Sequence, residues 1–221
     1  MAPESVAWQA LTAAALFAAL SLAGAWLSRE PLAQRLGLGR GRLDLGAGAR
    51  GIVGLLGLSH AADAALTISG WRGGSALARL DHALSGLGPV EVLFPLAALA
   101  LGAACAEELF FRGLLQRGLA QRLGEPIAIT VVAVVFGAVH GDAAHGVAAF
   151  TLGRSLGALA ARAGSIRLCM AGHAINNAVA VLEVANGWRV PGGEIPALIG
   201  GIAVALWGLW GLRSQPAAAE A

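Results

Sequence analysis

The 221-residue chain contains no lysine, and charged residues make up only 13% of it. A soluble domain carries about 25%. With 57% hydrophobic residues and a mean hydropathy of +0.71, one soluble core of this size would leave much apolar surface in water, so lipid is the expected solvent. Cysteine is scarce too. Cys105 and Cys169 both lie in apolar runs and read as small buried apolar residues; they form no zinc-finger spacing. The first residues, Met-Ala-Pro-Glu-Ser, carry no positive charge ahead of the first apolar run, so that run is expected to be a retained span rather than a signal peptide. No long polar linker, internal repeat or GxxxxGK[ST] loop interrupts the chain. The net charge of +2 comes from scattered arginines, which fits membrane topology better than a nucleic-acid surface, and no nucleic-acid partner is expected.

What the chain does have is long apolar runs. A spanning helix needs roughly 20 mainly apolar residues, and only helices or closed barrels satisfy their backbones in lipid. The expected fold is all-α: a polytopic transmembrane bundle of about seven spans, at residues 6–27, 51–70, 89–122, 126–140, 144–163, 168–186 and 195–212, with any polar site inside the bundle. Pro95 is expected to kink the third span, because it lacks a backbone donor. Residues 30–50 read as a loop with a short interfacial helix, and 71–88 as a loop or interfacial helix on the other side. Of the 15 arginines, 11 fall in the regions 28–50, 112–125, 162–167 and 213–221, which include span ends and lie on one side of this arrangement; 3 fall on the other side, and Arg154 lies within a span. That asymmetry puts the Arg-rich side in the cytoplasm and the N-terminus outside. The Ala/Gly/Arg-rich composition suits a GC-rich bacterium, so the expected location is a bacterial inner membrane.

Ionisable groups inside spans are costly and therefore functional candidates. Three clusters stand out. In Ala-Cys-Ala-Glu107-Glu108-Leu-Phe-Phe-Arg112, Glu108 and Arg112 are i,i+4 neighbours in the favourable orientation. Glu107 projects about 100° away, outside that pair, where a desolvated carboxylate suits a general base. Phe136 and His140 share a face at the end of a very apolar run. His173 and Asn177 share a face in Gly172-His173-Ala-Ile-Asn176-Asn177. Each cluster alone also fits a structural role: a salt bridge, a capping histidine, an interhelical hydrogen bond. Together they supply a base, a partner for a water and donors for an oxyanion. Asp142 and His145 are secondary candidates. His60 and Asp63, at i,i+3, read as an internal polar pair outside the site.

Glu-Glu-x-x-x-Arg, then Phe-x-x-x-His, then His-x-x-x-Asn, in this order within apolar helices, resembles the CPBP family: type II CAAX prenyl proteases and bacterial abortive-infection-type membrane proteins. Phe111-Arg112-Gly113-Leu114-Leu115 and Arg162-Ala-Gly164-Ser165-Ile166 fit as flanks. The resemblance covers residues 89–186 as the catalytic core, with N-terminal spans at 1–88 and a last span and tail at 187–221, all in one structural domain. It implies a glutamic-type intramembrane endopeptidase that needs no metal or other cofactor. Glu107 and His140 would activate water, His173 and Asn177 would hold the oxyanion, and Glu108, Arg112 and Phe136 would support them. The implied partners are the lipid bilayer and a membrane-associated or lipidated peptide or protein. A zinc hydrolase is the alternative chemistry, although no His-Glu-x-x-His is present; a non-catalytic immunity or scaffold protein, or a proton-coupled carrier, is the alternative outside peptide hydrolysis. One tension remains in the span drawing: Glu107 lies at mid-span or toward the inside, whereas His140 lies toward the outside, unless the fourth segment ends within the membrane against a re-entrant loop at residues 141–146.

Overall fold

The computed structural model describes residues 2–213, and the small polar tail expected after Arg213 lies outside them. Among the described residues every regular element is helical. In chain order these are α1 (Pro3–Trp26), α2 (Leu32–Arg35), α3 (Leu45–Ile68), α4 (Ala76–Leu84), α5 (Leu93–Leu123), α6 (Glu125–Ala138), α7 (Ala143–Ala163), α8 (Arg167–Asn186) and α9 (Glu194–Arg213). The seven expected spans correspond to α1, α3, α5, α6, α7, α8 and α9. Five of them, α1, α3, α5, α8 and α9, are long and apolar enough to cross a membrane. The protein is a polytopic helical bundle.

Helix α6 departs most from expectation. Its 14 residues rise ~21 Å, short of the ~30 Å hydrocarbon core. Pro95 does not kink α5: it lies in the first turn, where a missing N–H costs nothing. Irregularity comes instead from two π-helical segments, Ala97–Ala103 and Leu109–Gln116, which bracket Ala104–Glu108. Such widened turns often mark functional positions, and the apolar pattern of the sequence gives no sign of them.

The two ends of the bundle are built differently. At the Arg-rich end, arginines bond backbone carbonyls of neighbouring segments, some of them left open at helix ends. Arg42 donates to Ala161 O and Arg162 O at the end of α7, Arg35 to Leu114 O, and Arg117 to Gln34 O. Ile166 N reaches Gly37 O. At the opposite end, Asp142 caps two helices at once, accepting from His145 N of α7 and from Ala76 N of α4. Helices α3 and α9 meet through glycines so closely that a Cβ on Gly54 would stand 2.9 Å from Gly208 Cα; small residues are what permit such an approach in membranes.

Candidate active site

The site is built around α5. Its side chains face α6, α7 and α8, and an aromatic cluster sets their level. Phe111 is fully buried and packs edge-on against Phe136 of α6, ring centroids 4.9 Å apart; the Arg112 guanidinium lies 4.5 Å from the centre of the same Phe136 ring. Helices α5 and α6 run in opposite directions. One turn back along α5 from Phe111 and Arg112 is therefore level with one turn forward along α6 from Phe136. The first step reaches Glu107 and Glu108, and the second reaches His140. The tension in the span drawing is resolved by the shortness of α6, which ends at the depth of the carboxylates. No re-entrant loop is needed: α7 begins directly after a tight turn at Asp142.

Glu108 is the hub. It is fully buried, and its Oε1 accepts from Arg112 Nη1 at 2.8 Å and from His173 Nδ1 at 2.9 Å. Arg112 is locked a second time by donating to Gly153 O on α7 at 3.1 Å. Gly153 has to be small: a Cβ there would lie 3.0 Å from the Phe136 ring and 3.3 Å from the guanidinium. The paired charges, held by further hydrogen bonds, offset their desolvation.

Two histidine tautomers follow from these bonds. A carboxylate only accepts, so His173 Nδ1 carries a hydrogen and Nε2 is its free nitrogen. That Nε2 stands 3.9 Å from Glu107 Oε2. His140 Nδ1 donates to Phe136 O at 2.6 Å, which again leaves Nε2 as the available nitrogen. The His140 ring packs edge-on against Phe136 and His145, with centroids at 5.0 Å and 4.3 Å. Glu107, one residue from the hub, has none of its restraint. Its side chain is 16% exposed, and the ion-pair contact it makes is the one to His173 Nε2.

Asn177 donates Nδ2 to Leu99 O at 3.0 Å, fastening α8 to the first π segment and leaving its second N–H for a ligand. Asn176 Nδ2 approaches Asn177 Oδ1 at 3.4 Å. The structure thus brings Glu107, Glu108, Arg112, Phe136, His140, His173 and Asn177 into one region. Among the described residues, no three of the His, Cys, Asp and Glu side chains come together as a metal site.

Three other readings change. Asp142 is a helix cap, and the backbone N–H groups of His145 and Ala76 hold its carboxyl below the usual range. His60 and Asp63 do not pair: His60 Nε2 bonds Glu183 Oε1 at 2.9 Å, and Asp63 pairs with Arg72, which also holds Asp81. Gln116, which the sequence reading passed over, is buried and donates to Gly157 O at 3.0 Å. Its bond repeats, one turn on, the Arg112–Gly153 contact. The signal was available as an amide at i+4 from Arg112 on the same face.

No curated protein and no solved structure matches the chain. The family model described as type II CAAX prenyl endopeptidase Rce1-like matches residues 89–179, a segment that contains all seven of the clustered site residues. Over this core the chain is similar to the CAAX-type membrane proteases of the CPBP family.

Proposed function

We propose that the protein is a glutamic-type intramembrane endopeptidase acting on a membrane-anchored or lipidated peptide, with Glu107 and His140 as its water-activating pair. The observation that supports this most is the contrast between adjacent carboxylates. Glu108 is spent on Arg112 and His173, whereas Glu107 has no hydrogen bond and faces His173 Nε2. A general base must be free to take a proton; a structural carboxylate need not be.

In this reading a water held by Glu107 and His140 Nε2 gives up a proton to them as its oxygen attacks the peptide carbonyl. The tetrahedral oxyanion is stabilised by the spare N–H of Asn177 and by Nε2–H of His173 in its doubly protonated form. The proton taken from water then passes to the leaving amine as the C–N bond breaks. Arg112 and Phe136 keep Glu108 and His140 at one level. No metal or other cofactor takes part. The Arg-rich end faces the cytoplasm of a bacterial cell, and the N-terminus is outside. A prenyl group on the substrate is not required by this chemistry.

The test is a folded Glu107→Gln variant in native membranes. It is expected to bind and retain uncleaved peptide, as is His140→Ala, while the wild type turns over in the presence of chelator. Hydrolysis persisting in both variants would sink the mechanism, and loss of wild-type activity in chelator would point to a metal.

A further inference from the structure

Beneath the site, toward the Arg-rich end, is a cavity of ≈ 240 Å³ lined by Arg42, Arg112, Gln116, Arg117, Ala160 and Ser165, among others. Two of these side chains are almost fully buried yet keep a polar atom without a protein partner: Arg112 Nε, a donor, and Gln116 Oε1, an acceptor. A third such atom, Glu108 Oε2, lies farther up. Residues 108, 112 and 116 recur every fourth position along α5, so the three atoms mark a polar face leading from the cavity to the carboxylates. A buried group left without a hydrogen bond is costly, and polar cavities of this kind are filled by water, each molecule taking ~30 Å³ and making about three hydrogen bonds.

The partners favour water over an anion. Arg42 already donates Nε and Nη2 to carbonyls, Arg117 donates Nη2 to Gln34 O, and Arg112 is neutralised by Glu108. Gln116 Oε1 needs a donor, which a simple anion lacks. Water accepts from Arg112 Nε–H and donates to Gln116 Oε1. We infer that this cavity is a water-holding vestibule supplying the hydrolytic water from the Arg-rich end along the Gln116–Arg112–Glu108 face, with Gln116 as the residue that positions it. The inference rests on the hydrolytic reading of the site.

The test uses Ala160→Cys, a cavity-lining position outside the catalytic machinery, in a Cys105→Ala, Cys169→Ala background of the full chain in membrane vesicles. A charged methanethiosulfonate reagent added at the Arg-rich side is expected to label it. Val131→Cys, on the exposed side of α6, is expected to stay unlabelled. The adduct should lower peptide turnover by about tenfold with KM unchanged, and reduction of the adduct should restore the rate in the same molecules. Gln116→Leu should lose turnover to a similar extent, again with KM unchanged. An unreactive Cys at position 160, or an adduct that leaves turnover intact, overturns the vestibule. Hydrolysis surviving in Glu107→Gln would instead overturn the catalytic reading, and the labelling result would still decide whether the cavity is wet.

Discussion

Glu108 and His173 meet at 2.9 Å through Nδ1, and this one contact divides the labour between two neighbouring carboxylates. It fixes the tautomer of His173, presents Nε2 toward Glu107, and removes Glu108 from the reacting groups. Glu107→Gln and Glu108→Gln are therefore expected to fail in different ways. The first changes a carboxylate with no hydrogen bond, so the thermal midpoint in detergent should shift little while hydrolysis is lost. The second leaves the Arg112 guanidinium buried without its counter-charge, which costs about 3–5 kcal/mol. It should lower the midpoint sharply. A Glu108→Gln protein as stable as the wild type would contradict the hub role.

The turn after α6 predicts a packing limit. A Cβ on Gly137 would stand 2.6 Å from Gly146 O, and backbone cannot yield as a flexible side chain can. Gly137→Ala should push α6 and α7 apart, costing about 1–3 kcal/mol as overpacking does. It should also shift His140, which lies three residues on. Both a lowered midpoint and reduced turnover are expected. Gly200→Ala serves as the control, since a Cβ there meets nothing within 4 Å, and it should behave as the wild type.

Much of this was legible in the sequence, for identifiable reasons. Apolar runs and the Pro and Gly residues between them fix where helices start and stop, so α5 to α8 lie close to their expected bounds. The Glu108–Arg112 pair is local, set by helical spacing alone. Contacts between distant residues are different: nothing in the chain's order says that His173 will face Glu108, because that depends on how α8 docks on α5. The π-helical turns were illegible for a related reason. They change the angle between successive side chains without changing which residues are apolar. His60 shows the opposite error, where closeness in sequence to Asp63 suggested a pair and the fold gave it Glu183.

Asp142 makes the turn between α6 and α7 depend on pH. Its carboxyl is held below the ordinary value of 3.8 by the N–H groups of His145 and Ala76. A depressed native pKa contributes stability that is present above 3.8 and is lost as pH falls through the native value. Hydrogen exchange at the starts of α4 and α7 should accordingly quicken only in that acid range, after correction for intrinsic exchange. In Asp142→Ala it should be fast at neutral pH as well, because the caps are missing throughout. Exchange in Asp142→Ala as slow as in the wild type at neutral pH would mean that the double cap does not hold the turn.

Arg112→Lys offers the most discriminating substitution, because it keeps the charge and removes the shape. The guanidinium bonds Glu108 through Nη1 and Gly153 O through Nη2 while its Cζ lies 4.5 Å from the centre of the Phe136 ring. A lysine ammonium is a single compact donor group that cannot reach both partners from one planar fork. If Arg112 mattered only as a counter-ion to Glu108, lysine would suffice and turnover would stand near the wild-type level. If it sets the level of α5 against α6 and α7, lysine should leave a folded protein whose turnover falls on the order of tenfold or more through misplacement of His140 and Glu108. Steady-state kinetics on the lysine variant beside Arg112→Met, which removes the charge as well, separates these roles. The methionine variant should lose thermal stability in addition to turnover, and equal stability in the two variants would show that the charge pairing contributes little.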